Sequence, residues 1–238
     1  MKKLSGMEEY EWIREETVEV LSDKRQGIRV ENFLPNRFTH YCKMIHPLCR
    51  DPQIQDEQLL WSECTPKQAE AIQFGERLRL IELAKKYELD CSKELSAASL
   101  MQKLNGVPRY LITGEEGEIE PDSLNALVQV LHQFSGKESC FFWYEELKTE
   151  DYSATLFHGK LNEVTELSTR AGLHGTPTYW WSTDKAWCVY TDSDLDFTVI
   201  AGSYKLIEAL VADDFLECFT CDVATRMIDE ISRLSVQE

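Results

Sequence analysis

Long apolar runs are missing from this 238-residue chain, and with them the material of a membrane span or a signal h-region. The amino terminus passes from Met1-Lys2-Lys3-Leu4 at once into Glu8-Glu9-Tyr10-Glu11. A soluble cytoplasmic protein is therefore expected. The chain also lacks a G-x-G-x-x-G fingerprint, a Walker loop and a G-x-S-x-G elbow, which removes the common dinucleotide, P-loop and α/β-hydrolase readings. No repeat or low-complexity tract interrupts it. A basic patch is missing too: the formal charge is −17, and such a field repels phosphate backbones and anionic membranes. Nucleic acid and membrane are thus not expected as partners.

What is present is enough apolar surface for a sizeable core, 43% hydrophobic and 11% aromatic residues. The charge is uneven: +1 over residues 1–50, −2 over 51–114, −8 over 115–151, zero over 152–175 and −8 over 176–238. The carboxyl-terminal half is the acidic part, able to attract a basic protein partner. Eight cysteines are scattered without disulfide-framework spacing and read as reduced thiols packed like small hydrophobes.

Residues 1–26 read as a short amino-terminal helix or arm, with Tyr10, Trp12, Ile13, Val18, Val20 and Leu21 as docking points and Gly27 as its stop. Residues 27–238 read as one α+β domain, a mixed, mainly antiparallel sheet flanked by helices, with a subdivision conceivable near 114–123. Strands are expected at 28–34, 140–144, 154–157, 179–181, 186–190, 197–201 and 216–221, on alternation and β-branched or aromatic content, while 38–47 has Phe38, Tyr41, Cys42 and Ile45 at helical spacing but aromatic content and flanking prolines that favour a strand. Helices are expected from Pro66, N-capped by Thr65, to Tyr87; from Ser96 to Leu104; and from Leu124 to Phe134, capped by Asp122 or Ser123. Two more follow, one after Gly202-Ser203 with Leu206, Ile207, Leu210 and Val211 as its apolar stripe, and one from Asp222 to Leu234.

The densest chemistry lies between Pro177 and Ser203. Asp192, Asp194 and Asp196 invite a divalent-cation reading, but an EF-hand starting at Asp192 needs Gly and Glu where Phe197 and Ser203 stand. Ser193-Asp194-Leu195-Asp196-Phe197 looks like the paired-aspartate strand of nucleotidyltransferases, yet no Gly-Ser pair lies at the right distance upstream. His40, Cys42, His46 and Cys49 are ligand types in ten positions, matching no common zinc spacing. Cys218-Phe219-Thr220-Cys221 is a lone C-x-x-C. Cys140 or Ser139 with His158 could form a nucleophile and base, although nothing in the spacing fixes their geometry. Gly202-Ser203 reads as an N-cap and His174-Gly175-Thr176-Pro177 as a turn. No metal and no cofactor is expected.

Trp180, Trp181 and Trp187 make a different claim. Neighbouring strand residues point to opposite faces, so Trp180 and Trp181 cannot enter one core without a bulge. An exposed tryptophan rimmed by acids would suit a protein-binding surface. Trp180, Trp181, Trp187, Asp192, Asp194 and Asp196 are therefore the candidate binding residues.

At Leu34-Pro35, Tyr41, His46-Pro47, Trp61-Ser62-Glu63 and Trp180 to Gly202 the chain resembles hypothetical cytosolic proteins of Gram-positive bacteria and actinobacteria, over most of its length. That resemblance implies a single-domain architecture and carries no catalytic residue with it. A broader analogy of acidic α+β character points toward bacterial toxin-immunity proteins. The leading expectation is a non-enzymatic, immunity-like protein-interaction module. The alternative is a metal-dependent hydrolase or transferase centred on Asp192, Asp194 and Asp196.

Overall fold

Adjacent residues of the strand Tyr179–Ser182 organise the whole molecule, because each face of the sheet they sit in has its own core. The computed structural model describes residues 1–19, 27–114, 116–136 and 139–228. In chain order its strands are β1 (Lys2–Lys3), β2 (Ile28–Arg29), β3 (His40–Ile45), β4 (Leu48–Arg50), β5 (Arg77–Leu78), β6 (Leu111–Thr113) and β7 (Ser139–Tyr144). They continue with β8 (Thr155–Lys160), β9 (Tyr179–Ser182), β10 (Cys188–Tyr190), β11 (Phe197–Gly202), β12 (Glu217–Cys221) and β13 (Arg226–Ile228). The helices are α1 (Glu11–Glu16), α2 (Pro66–Glu70), α3 (Leu80–Lys86), α4 (Ala97–Lys103), α5 (Pro121–Phe134), α6 (Val164–Leu167) and α7 (Tyr204–Ala212).

Eight strands form one sheet in the order β1-β8-β7-β9-β10-β11-β3-β12, with every neighbouring pair antiparallel. The expected α+β class, a single domain with a mainly antiparallel sheet, is what the chain adopts. Two small sheets, β5-β4-β6 and β13-β2, lie outside the main one.

Trp181 enters the core of the first face, stacked on Phe141 at 5.5 Å and edge-on to Trp12 at 6.2 Å. Trp180 enters the core of the second, beside Phe142 and edge-on to Trp187 at 5.7 Å. The first face is covered by α1, α3, α4 and the residues around Leu34. The second is covered by α5, whose Leu124, Leu127 and Leu131 recur at helical spacing, and by α6 and α7. No bulge is needed, since both faces are dry.

Several expected elements end early for visible reasons. The helix from Pro66 stops at Glu70 because Arg109 takes the carbonyls of Gln68 and Ala71 at 2.9 and 2.7 Å, acceptors a continuing helix would use. Arg109 in turn pairs with Asp51 at 2.8 Å, both side chains fully buried. The chain resumes as β5 and α3 rather than one helix to Tyr87. The strand expected at 28–34 lasts two residues, then Asn32 accepts from the Arg29 amide at 2.8 Å and closes a 3-10 turn. Glu120 caps α5, its carboxylate accepting from the Ser123 amide at 3.2 Å, in place of Asp122 or Ser123. The final helix expected from Asp222 is instead a turn on the Asp222 carboxylate followed by β13, within the described residues. Val20, Leu21 and the rest of that expected helix lie outside the described residues. No helix among the described residues is long and apolar enough to cross a membrane.

Candidate functional site

Four loops meet at one end of the sheet, and a lysine holds them there. Lys148, almost wholly buried, donates from Nζ to the carbonyls of Gly117 at 2.8 Å, Thr191 at 2.9 Å and Thr176 at 3.1 Å. Glycine makes the close approach possible. Gly117 has φ 71°, and a Cβ there would lie 2.8 Å from the Cα of Ser193. Gly175 has φ 63°, and a Cβ there would lie 2.8 Å from the Gly117 carbonyl oxygen. Burial lowers the Lys148 pKa to about 8, with Glu145, Asp192 and Glu118 opposing it. The three carbonyls also favour the ammonium form, since a neutral amine has only two N–H groups to offer them.

Beside Lys148 runs a buried polar chain. His46 Nε2 lies 2.9 Å from Thr198 Oγ1, which lies 2.8 Å from Thr191 Oγ1, while His46 Nδ1 has no partner. Burial, then the Lys148 charge, brings the His46 pKa down to about 3. Both causes favour the neutral imidazole.

The loops carry carboxylates outward from this anchor. Asp192, half-buried, accepts a short hydrogen bond from the Tyr190 hydroxyl and another from the Asp194 amide at 2.9 Å. Asp194 is exposed and Asp196 half-buried. Burial raises the Glu116 pKa, and Asp194 and Asp196 raise it further. Burial and then Asp192 raise that of Glu145. Asp196 is raised by burial against the pull of Lys43. Burial is the first cause in all three; carboxylates add to it at Glu116 and Glu145, and Lys148 and Lys43 oppose it at Glu145 and Asp196.

The three tryptophans proposed as binding residues are not at this surface. Trp180, Trp181 and Trp187 are each 0% exposed. They are corrected from candidate contacts to core, because the two-sided sheet gives each face its own cover. Asp192, Asp194 and Asp196 do share one turn, between β10 and β11, but Asp192 spends its oxygens on its own loop. Among the described residues no three His, Cys, Asp or Glu side chains are grouped to hold a metal ion. His40 and Cys42 lie on β3, His46 is buried at its end and Cys49 belongs to the small sheet on β4.

The other constellations separate for simple geometric reasons. Cys218 and Cys221 are three apart on a strand, so Cys218 packs on the second face and Cys221 on the first. Cys140 belongs to the second core, whereas the His158 ring lies tilted against Phe141 of the first at 4.8 Å. The Ser139 hydroxyl shares a hydrogen bond with Thr183 at 3.1 Å. Ser203 caps α7 as expected, accepting from the Leu206 amide at 3.3 Å.

A second surface feature lies at the far edge of the sheet. A groove of about 350 Å³ runs between α7 and the start of β3, with Tyr204, Ile207, Glu208 and Val211 along the helix and His40 and Thr220 opposite. Val211, expected on the buried stripe of α7, is 41% exposed here and forms part of the wall. Neither Lys148 nor this groove has a sequence signature: a lysine within Glu-Glu-Leu-Lys-Thr looks like any solvated charge. Comparison with protein-family models, curated proteins and solved structures finds no match for this chain.

Proposed function

We propose that the protein is a non-enzymatic, immunity-like interaction module of the cytoplasm that binds a basic protein. The observation that carries this reading is the crowd of carboxylates on the Lys148-anchored loops. Burial first, and neighbouring carboxylates after it, raise the pKa of Glu116 and Glu145, so a cationic partner would offset charge repulsion present at those two positions in the free protein. The loops are held in place beforehand, which lowers the ordering cost of binding. The cytoplasmic assignment is supported by eight free thiols, three of them fully buried.

The test is affinity purification with the wild-type chain and with a Glu116→Gln/Asp194→Asn double variant, two exposed positions whose neutralisation leaves the core intact. A basic protein should be retained at low salt, released as salt rises, and lost or greatly reduced with the variant. Equal retention by both chains, or retention insensitive to salt, would remove the basis of the proposal.

A further inference from the structure

The two edges of the main sheet are finished differently. One ends in β1, two lysines paired with β8, a short and charged strand of the kind that discourages further pairing. The other ends in β12, whose five residues pair, among the described residues, only with β3. Its Cys218-Phe219-Thr220-Cys221 stretch holds no lysine and no proline, and its pairing with β3 runs without a register shift. The one charged residue of β12, Glu217, turns inward and accepts from the amides of Leu80 at 2.9 Å and Ile81 at 2.7 Å, capping α3. Among the described residues no backbone group hydrogen-bonds to the outer side of Cys218–Cys221. Among the described residues an open edge therefore lies directly beside the groove under α7, whose far wall carries Thr220 and Cys221 of that same strand.

We propose that this edge and groove together dock an extended, basic segment of a partner protein, its backbone continuing the sheet beyond β12 and its apolar side chains entering beside Val211. The inference rests on the interaction reading above and gives it a second, separate surface. Strand addition supplies affinity through main-chain hydrogen bonds, and a flanking pocket supplies choice among side chains. The groove volume lies within the range of ordinary ligand sites. Tyr204, 57% exposed, and Val211 provide its apolar wall.

Charge selects the occupant. On α7 and the turn after it, Glu208, Asp213 and Asp214 outnumber Lys205, and Glu208 sits on the groove wall itself. A second copy of the chain pairing edge to edge would bring these carboxylates against their own equivalents, on two molecules of charge −17 each. A segment with Lys or Arg and an apolar residue at groove-facing positions i and i+2 sets its charge toward Glu208 and its apolar side chains in the groove.

The test uses a six-residue peptide with Val and Lys at successive groove-facing positions and Thr between them, its counterpart with Glu in place of Lys, and amide hydrogen exchange of the full chain read by NMR. The basic peptide should slow exchange at Cys218–Cys221, and the acidic one should bind at least about tenfold more weakly. Val211→Arg should weaken the basic peptide by about tenfold or more, with Glu208→Lys as a second, equally exposed variant, while Glu116→Gln/Asp194→Asn leaves its binding within about threefold. Unchanged exchange at β12 under saturating peptide, or wild-type affinity in both groove variants, overturns the inference. So does protection at β12 that grows with protein concentration alone, which would assign the edge to a second copy. A partner lost with the loop variant but retained by both groove variants would overturn this inference and leave the proposed function standing; a partner indifferent to both sets would overturn the two together.

Discussion

Replacing each buried tryptophan by phenylalanine should separate three residues that burial alone makes equivalent. Trp180, Trp181 and Trp187 are all 0% exposed, so by area the three substitutions should cost the same. Removing part of an indole forfeits roughly 50 Å² of buried surface, about 1–2 kcal/mol with the cavity it leaves. The indole N–H groups differ, however. Those of Trp180 and Trp181 have no acceptor, and an unsatisfied buried donor costs about 1–3 kcal/mol, which phenylalanine relieves. That of Trp187 donates to Ser135 Oγ at 3.0 Å, and Ser135 in turn donates to the Leu131 carbonyl at 2.8 Å at the end of α5. Trp180→Phe and Trp181→Phe should therefore lie within about 1 kcal/mol of wild type, and Trp187→Phe should cost about 2–3 kcal/mol. Equilibrium urea unfolding followed by far-ultraviolet circular dichroism gives each value from the midpoint at constant slope. If Trp181→Phe or Trp180→Phe proved as costly as Trp187→Phe, the unpartnered donors would have to be satisfied after all, and the ranking would fail.

Breaking the buried pair by Asp51→Ala should cost about 3–5 kcal/mol, because it leaves the Arg109 charge buried, and should expose residues 60–75 to limited proteolysis first. Glu145→Gln should stabilise the protein at pH 7: burial and Asp192 raise the folded-state pKa of Glu145, so its ionisation weakens the fold as pH rises above the ordinary glutamate range. Below about pH 4.5 the carboxyl is protonated in both states, and thermal melts of the two proteins should converge there. Ser203→Ala should cost about 1 kcal/mol by removing the cap of α7, measurable by the same urea titration.

Much of the fold was legible because strands and helix starts leave local marks. Thr65, Ser96 and Ser203 each cap the helix their spacing announces. The β9-β10-β11 meander follows from aromatic and β-branched runs separated by turn residues. What was illegible depends on distant partners. Arg109 ends a helix forty residues upstream of it, and nothing near Glu70 foretells that. The opening paradox of Trp180 and Trp181 also had two solutions, one exposed face or two buried ones, and only the helices packed on the second face decide between them. The acidic turn was visible as composition; that Lys148 gathers it with three other loops was not.

A strand with both faces buried loses the usual safeguard of its alignment. Where one face meets water, slipping by a residue exposes the apolar set, and solvent corrects the error. In β9 a slip would only exchange Trp180 and Trp181 between two dry interiors. The alignment must then be enforced by groups that tolerate a single neighbour: the Tyr179 hydroxyl donates to the Phe33 carbonyl at 2.6 Å, and Ser182 Oγ accepts from the Ala186 amide at 2.9 Å. In this sheet the tryptophans provide adhesion and two small polar contacts provide the address.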